Sequence, residues 1–237
     1  MGTVCEVAID GPHAERQIEA AFAEAARIES KISTWIADSE LSRVNRGEAE
    51  ASPELRALLD TTLEWAGKTN RAFDPRWKGG TQFEEGGFGK GYAIDRMLAF
   101  VDAPRAMINF GGQLATRGSM RVTIADPLHR DQPILELTLD NASLSTSSNS
   151  ERLHIVDPRT HEPVPARGSA SVIAHDALTA DILSTALLVM GTDEGLRWAN
   201  ANGVAAIFIT NANQIRLSTR ARDCAVKVID GHFGMKD

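Results

Sequence analysis

Cysteine, aromatic residues and basic clusters are all scarce in these 237 residues, and each shortage closes off a class of answer. The two cysteines, Cys5 and Cys224, stand at opposite ends of the chain without a CxxC partner, so they build neither a disulfide framework nor a zinc knuckle. Aromatics make up 5% of the chain, with a single Tyr, which is too few for a base-stacking platform. Lys and Arg number 25 against 32 Asp and Glu, and a net charge of −7 without any basic run argues against a nucleic-acid partner. Apolar runs such as residues 186–190 are far too short to span a bilayer. No basic segment followed by an apolar one opens the chain, where Met1 to Val7 already alternates like a strand. The expected location is the cytoplasm, or the periplasm if a leader has been removed.

What remains is an ordinary globular composition, 43% hydrophobic and 24% charged. At about 150 residues per domain the length permits one large domain or two small ones. Apolar residues Ile18, Phe22, Ala25, Ile28 and Ile32 recur at three- and four-residue steps, which predicts a helix over 14–32 after a strand over 3–9. A shorter helix is expected over 39–45, and another from the Ser52-Pro53 cap, where Pro occupies the first helical position and Leu55, Leu58, Leu59 and Leu63 share one side. A glycine-rich turn over 78–91 leads into a further helix. Strands follow over 106–110, 120–125, 134–139, 154–156 and 169–174, then the most apolar helix, 176–190, a helix near 194–202, and strands over 205–210 and 214–218. Helices first and paired strands later, with no repeat and no linker, predict one α+β domain covering 1–237.

Five stretches offer chemistry. In Glu84-Glu85-Gly86-Gly87-Phe88-Gly89-Lys90-Gly91-Tyr92, glycines let backbone amides approach an anion and Lys90 adds a point charge. It is not a Walker A loop, which needs a Gly where Glu84 stands and a Ser or Thr where Gly91 stands. Asp181 and Thr185 lie four apart on the 176–190 helix, a carboxylate and a hydroxyl on one face that suit Mg²⁺; a solvent-facing polar stripe is the plain alternative. His154, before the turn-forming Asp157-Pro158, is a candidate general base or simply part of a turn. The hydroxyl-rich Thr146 to Ser150 reads as a loop, and Gly111-Gly112 permits close backbone approach.

Taken in order, Met1-Gly2-Thr3, the 33–45 block with Trp35, Ala72-Phe73-Asp74-Pro75, Gly89-Lys90-Gly91-Tyr92-Ala93-Ile94-Asp95, Asn109-Phe110-Gly111-Gly112, Thr146-Ser147, His154-Ile155-Val156-Asp157-Pro158, and Asp181 with Thr185 form a series. It resembles the ApbE family of FAD:protein FMN transferases over essentially the whole chain. The resemblance implies a T-fold-like α+β domain with mixed antiparallel sheets that binds FAD and Mg²⁺. It further implies transfer of FMN to a threonine hydroxyl of an acceptor protein, with release of AMP.

By that resemblance the flavin nucleotide meets Met1, Trp35, Ala72, Phe73, Asp74, Lys90 and Ile155. Magnesium is held by Asp181, Thr185 and the Gly87 carbonyl, and His154 assists the acceptor hydroxyl. A flavin-nucleotide carrier, or an FAD pyrophosphatase yielding FMN and AMP, would use the same residues. The chain departs from the pattern in places. Trp35 replaces a Tyr, Glu84 an Asp, Arg76 a Thr, Gln113 a commonly acidic residue, and His161-Glu162-Pro163 a Gly-Tyr-Pro. Only residues 76–83 separate Pro75 from Glu84, where family members carry several dozen more.

Overall fold

The computed structural model describes residues 2–150 and 153–236. Its elements run β1 (Cys5–Asp10), α1 (Ala14–Ile32), α2 (Glu40–Asn45), α3 (Pro53–Lys68), α4 (Gly89–Leu98), β2 (Arg105–Phe110), β3 (Gln113–Arg117), β4 (Ser119–Ala125), β5 (Pro133–Asp140) and β6 (Ser143–Ser148). Then come β7 (Ser169–Ala174), α5 (Ala177–Met190), α6 (Thr192–Ala201), β8 (Ala205–Ile209), β9 (Gln214–Leu217), α7 (Thr219–Arg222), β10 (Lys227–Val228) and β11 (Gly234–Lys236). The α+β class expected from the sequence is the class observed.

Three layers stack on one another. An eight-stranded sheet, β1-β2-β3-β6-β7-β8-β9-β11, forms the middle, antiparallel throughout except where β11 runs parallel to β9. Alternation along its strands divides the core in two. Ile108, Phe110, Ala170, Val172, Ala206 and Phe208 turn to the helices, where they meet the apolar faces of α1, α3, α4 and α5. Their neighbours Leu144, Ala205, Ile207 and Ile209 turn the other way, onto a small sheet ordered β10-β5-β4.

Capping fixes where the helices begin. Ser39, Ser52 and Asp176 accept from the backbone N–H groups of Ser42, Leu55 and Thr179, each satisfying an orphan donor of the first turn. Helix α5 has a second acceptor. Asp95, on α4, takes the N–H groups of Ala177 (2.8 Å) and Leu178 (2.9 Å), tying the start of α5 to α4. Burial pushes the Asp95 carboxyl up to about 6, against the pull of those two hydrogen bonds.

Several local expectations change on inspection. Residues 143–148, read as a loop from 146 onward, form β6, because Ser145 and Ser147 direct their hydroxyls to Ser184 on α5 rather than to solvent. The 154–156 strand is reduced to a single bridge between Val156 and Pro163. Helix α4 begins at Gly89, so Lys90 and Gly91 lie in its first turn and not in the preceding loop.

A charged network binds the helical layer along its outer side. Arg27 forks onto Glu54 with bonds of 2.9 and 2.7 Å and also grips the buried Glu24. Lys31 reaches Glu54 and Glu40, Tyr92 donates to Glu54, and Arg96 reaches Glu24, so α1, α2, α3 and α4 share one set of ion pairs. The Arg27 hydrogen bonds hold the Glu54 carboxyl far below the usual carboxylate range. A depressed carboxylate stabilises the fold above its unfolded pKa, about 4.3, and loses that contribution as pH falls toward the folded value. Glu54→Gln is therefore expected to cost about 1 kcal/mol at pH 7, with the gap from wild type closing as pH drops below about 4, measured by urea unfolding across pH.

Candidate active site

One cleft of about 1310 Å³ opens between the helical layer and β4 of the small sheet. Trp35, Ala72, Phe73, Asp74, Gly87, Lys90, His154, Ile155, Asp181 and Thr185 all line it, although they span 150 positions of sequence. Met1, the remaining expected contact, lies outside the described residues.

The floor of the cleft is the crossing of α4 and α5. Gly91 makes that crossing possible, since a Cβ there would collide with the Ala177 carbonyl oxygen and lie 2.8 Å from the Asp181 Cβ. The close approach lets the Gly91 N–H donate to Asp181 Oδ2 at 2.9 Å. On the other side Gln113 Nε2 donates to Asp181 Oδ1 at 2.5 Å. Asp181 is 1% exposed, so it is no solvent-facing polar stripe. Burial pushes its carboxyl up, while the Lys90 charge and both hydrogen bonds pull it down.

One turn on, Thr185 Oγ1 lies 3.3 Å from Ser147 Oγ, extending the line of hydroxyls that joins β6 to α5. A single 3-10 turn, Glu85–Gly87, comes against this pair: a Cβ on Gly87 would lie 3.5 Å from Thr185 Oγ1 and 3.1 Å from the Phe73 ring. The donors gathered here are oxygens, a single carboxylate with a threonine hydroxyl, and among the described residues no group of three or more His, Cys, Asp and Glu forms, here or elsewhere. Such a set suits a hard divalent cation. The Gln113 Oε1 atom, buried and without a hydrogen-bond partner, agrees with a missing electrophile at this spot.

The walls differ in character. Ala72, Phe73 and Asp74 are almost wholly packed, so they shape the cleft rather than reach into it. Asp74 is held by Arg71 Nη2 at 2.6 Å and accepts from the Arg76 N–H at 2.8 Å. Trp35 is the opposite case, 91% exposed on the α1–α2 connection at the rim. That connection is fastened to the 3-10 turn by Thr34, which donates to the buried Glu85 at 2.6 Å.

The facing wall depends on Asn149, a buried amide that the sequence reading passed over inside its hydroxyl-rich tract. Its Nδ2 donates to the carbonyls of Ile155 and Val164, and its Oδ1 accepts from the N–H groups of His154 and Ile155. This clamp sets the exposed His154 at the cleft edge without regular secondary structure.

The short connection after Pro75 is a closed loop. Glu84 N–H donates to the Pro75 carbonyl at 2.8 Å, Asn45 pairs with the backbone of Phe83 in both directions, and Lys78 meets Glu84 at 2.8 Å. From across the cleft His161 Nδ1 contacts the Trp77 carbonyl at 3.0 Å.

Fold and site together define a two-sheet α+β protein with a nucleotide-sized cleft whose floor pairs a buried carboxylate with a lysine. The model of the ApbE family matches residues 1–82 and 76–208, two pieces that meet at the shortened connection. The chain belongs to the ApbE family. It is 30% identical over 172 residues to a Klebsiella pneumoniae protein named FAD:protein FMN transferase, covering 64% of this chain and 54% of that one. A Rhodobacter capsulatus protein of the same name is 30% identical over 191 residues, covering 73% of this chain and 36% of its own. The chain thus spans about half the length, or less, of these relatives. The apo flavinyl transferase ApbE of Pseudomonas stutzeri has the same fold, with a TM-score of 0.78 and 22% identity over 94% of this chain and 93% of that one. The flavin transferase ApbE of Vibrio cholerae gives 0.79 and 19%, over 94% and 96%. Among the described residues no helix is long and apolar enough to cross a membrane.

The α4–α5 crossing yields a direct prediction. Gly91→Ala is expected to destabilise the protein by about 3 kcal/mol through overpacking against main chain that has no room to retreat. Urea unfolding measures it; a loss below 0.5 kcal/mol contradicts the packing described.

Proposed function

We propose that the chain, read as one functional unit over 1–237, is a Mg²⁺-dependent FAD:protein FMN transferase acting on a threonine hydroxyl of an acceptor protein. The observation that carries this reading is the convergence of ten sequence-distant residues on one cleft of dinucleotide size. The names of the relatives support the same activity.

In this reading Lys90, at the N-terminal end of α4, holds the diphosphate of FAD, as an ammonium at a helix N-terminus suits an anion. Trp35 offers an exposed aromatic face on which an isoalloxazine ring can stack. Asp181, Thr185 and Gly87 would hold magnesium, whose charge would offset that of the phosphates. The acceptor oxygen attacks the phosphorus on the riboflavin side, the bridging P–O bond breaks, and AMP departs with the bridging oxygen. His154 receives the proton that the hydroxyl gives up. The remaining contribution is positioning: the bonds from Gly91 and Gln113 fix Asp181 so that its carboxylate would meet a divalent cation rather than swing free.

The test is incubation with FAD, Mg²⁺ and a threonine-bearing acceptor domain, followed by AMP quantitation and acceptor mass. Modified acceptor with equimolar AMP is the expected outcome. AMP with free FMN indicates hydrolysis, and unchanged FAD indicates binding alone; either contradicts the proposal. Asp181→Asn should lower the Mg²⁺-supported rate roughly 100-fold. Lys90→Ala should raise the FAD dissociation constant about tenfold, equivalent to about 1.4 kcal/mol, by fluorescence titration.

A further inference from the structure

Gln113 has no part in the ligand set drawn from the family, yet it is the residue most tightly joined to Asp181. It opens β3 directly after the Gly111-Gly112 turn. Phe110 pairs with Gln113 in register, so the turn is a two-residue hairpin, and φ of 63° and 86° at its glycines gives it the twist that suits paired strands. Thr3 lies so close that a Cβ on Gly111 would fall 2.7 Å from its methyl carbon, which leaves the turn no slack. Gln113 is thereby delivered to the cleft by rigid backbone and is only 4% exposed.

Its amide is used at one end only. Nε2 donates to Asp181 Oδ1 at 2.5 Å, while Oε1 is buried without a hydrogen-bond partner. With Asp181 ionised, the reverse orientation would set two oxygens against each other at that distance, so nitrogen faces the carboxylate. An amide oxygen buried next to the Asp181 carboxylate, in a cleft that Thr185 and Lys90 also line, lacks an electrophile, and a divalent cation supplies one.

We propose that Gln113 is a positioning residue of the cation site: its NH₂ orients Asp181, and its Oε1 adds a neutral oxygen donor for the same divalent ion. The inference rests on the cleft holding a cation at Asp181. It deepens that reading in one respect, the charge of the site. With Gln113 the site has a single carboxylate, so cation affinity in the free protein is modest and phosphate oxygens of the nucleotide complete the shell. A glutamate at the same position would bind the cation more tightly and would repel Asp181 in its absence.

The experiment is Mn²⁺ titration followed by EPR, with melting curves in the presence and absence of Mg²⁺, on wild type, Asp181→Asn, Gln113→Met and Gln113→Glu. Gln113→Met, similar in size but without oxygen or N–H, should weaken Mn²⁺ binding about tenfold. Gln113→Glu should tighten it about tenfold, melt lower than wild type without metal, and recover with Mg²⁺. A role in packing alone predicts no tightening by glutamate. If wild type binds Mn²⁺, Asp181→Asn abolishes binding and both Gln113 variants match wild type, the inference is wrong and the cation reading stands. If wild type binds no Mn²⁺ in a manner sensitive to Asp181→Asn, both fall.

Discussion

Everything in the cleft depends on the contact between Gly91 and Asp181. Two helices approach until the backbone N–H of one meets a side-chain carboxylate of the other, and only a glycine permits it. That contact buries a carboxylate that would otherwise be hydrated, and the cost is offset by hydrogen bonds from Gly91 and Gln113 and by the nearby lysine. It also sets the separation of Lys90 from Asp181, the cationic and anionic poles of the floor. Asp95 reinforces the same crossing one turn away by capping α5 from α4.

The remaining layers serve that crossing. β6 docks on α5 through hydroxyl pairs rather than methyl groups, which holds Thr185 at a defined height beside Ser147. The charged network around Glu54 locks α1, α2, α3 and α4 into one body on the outer side, so the inner side can afford an open cleft. Opposite, residues 121–125 of β4 all border the cleft. Consecutive residues of a strand point to alternate faces, so a wall touched by five in a row is the backbone edge of β4, the side away from β5.

Most of the fold was legible because its periodicities are strong. The three- and four-residue spacing of α1, the Ser52-Pro53 cap of α3 and the apolar α5 coincide with the structure within a residue or so. β6 was not legible, since Ser-Leu-Ser-Thr-Ser-Ser carries a loop composition and becomes a strand only through partners on α5 and β7. The candidate site was legible as residue types in order, from the family pattern. Its physical supports were not: the crowding at Gly91, the four-way clamp of Asn149 and the bond from Gln113 all join residues distant in sequence, and no local signal announces them.

The connection at 76–83 falls where the two matches to the family model overlap, and the structure closes it without a gap: Pro75 and Glu84 are hydrogen-bonded, Asn45 secures Phe83, and His161 meets Trp77 from across the cleft. In the proposed function the α4–α5 crossing is a cation-assisted nucleotide floor. A crystal soaked with FAD and Mn²⁺ tests it most directly. The account predicts an anomalous peak bonded to the Asp181 carboxylate and Thr185 hydroxyl, with the FAD diphosphate between it and Lys90. A diphosphate bound elsewhere, or an anomalous peak remote from Asp181, would contradict it.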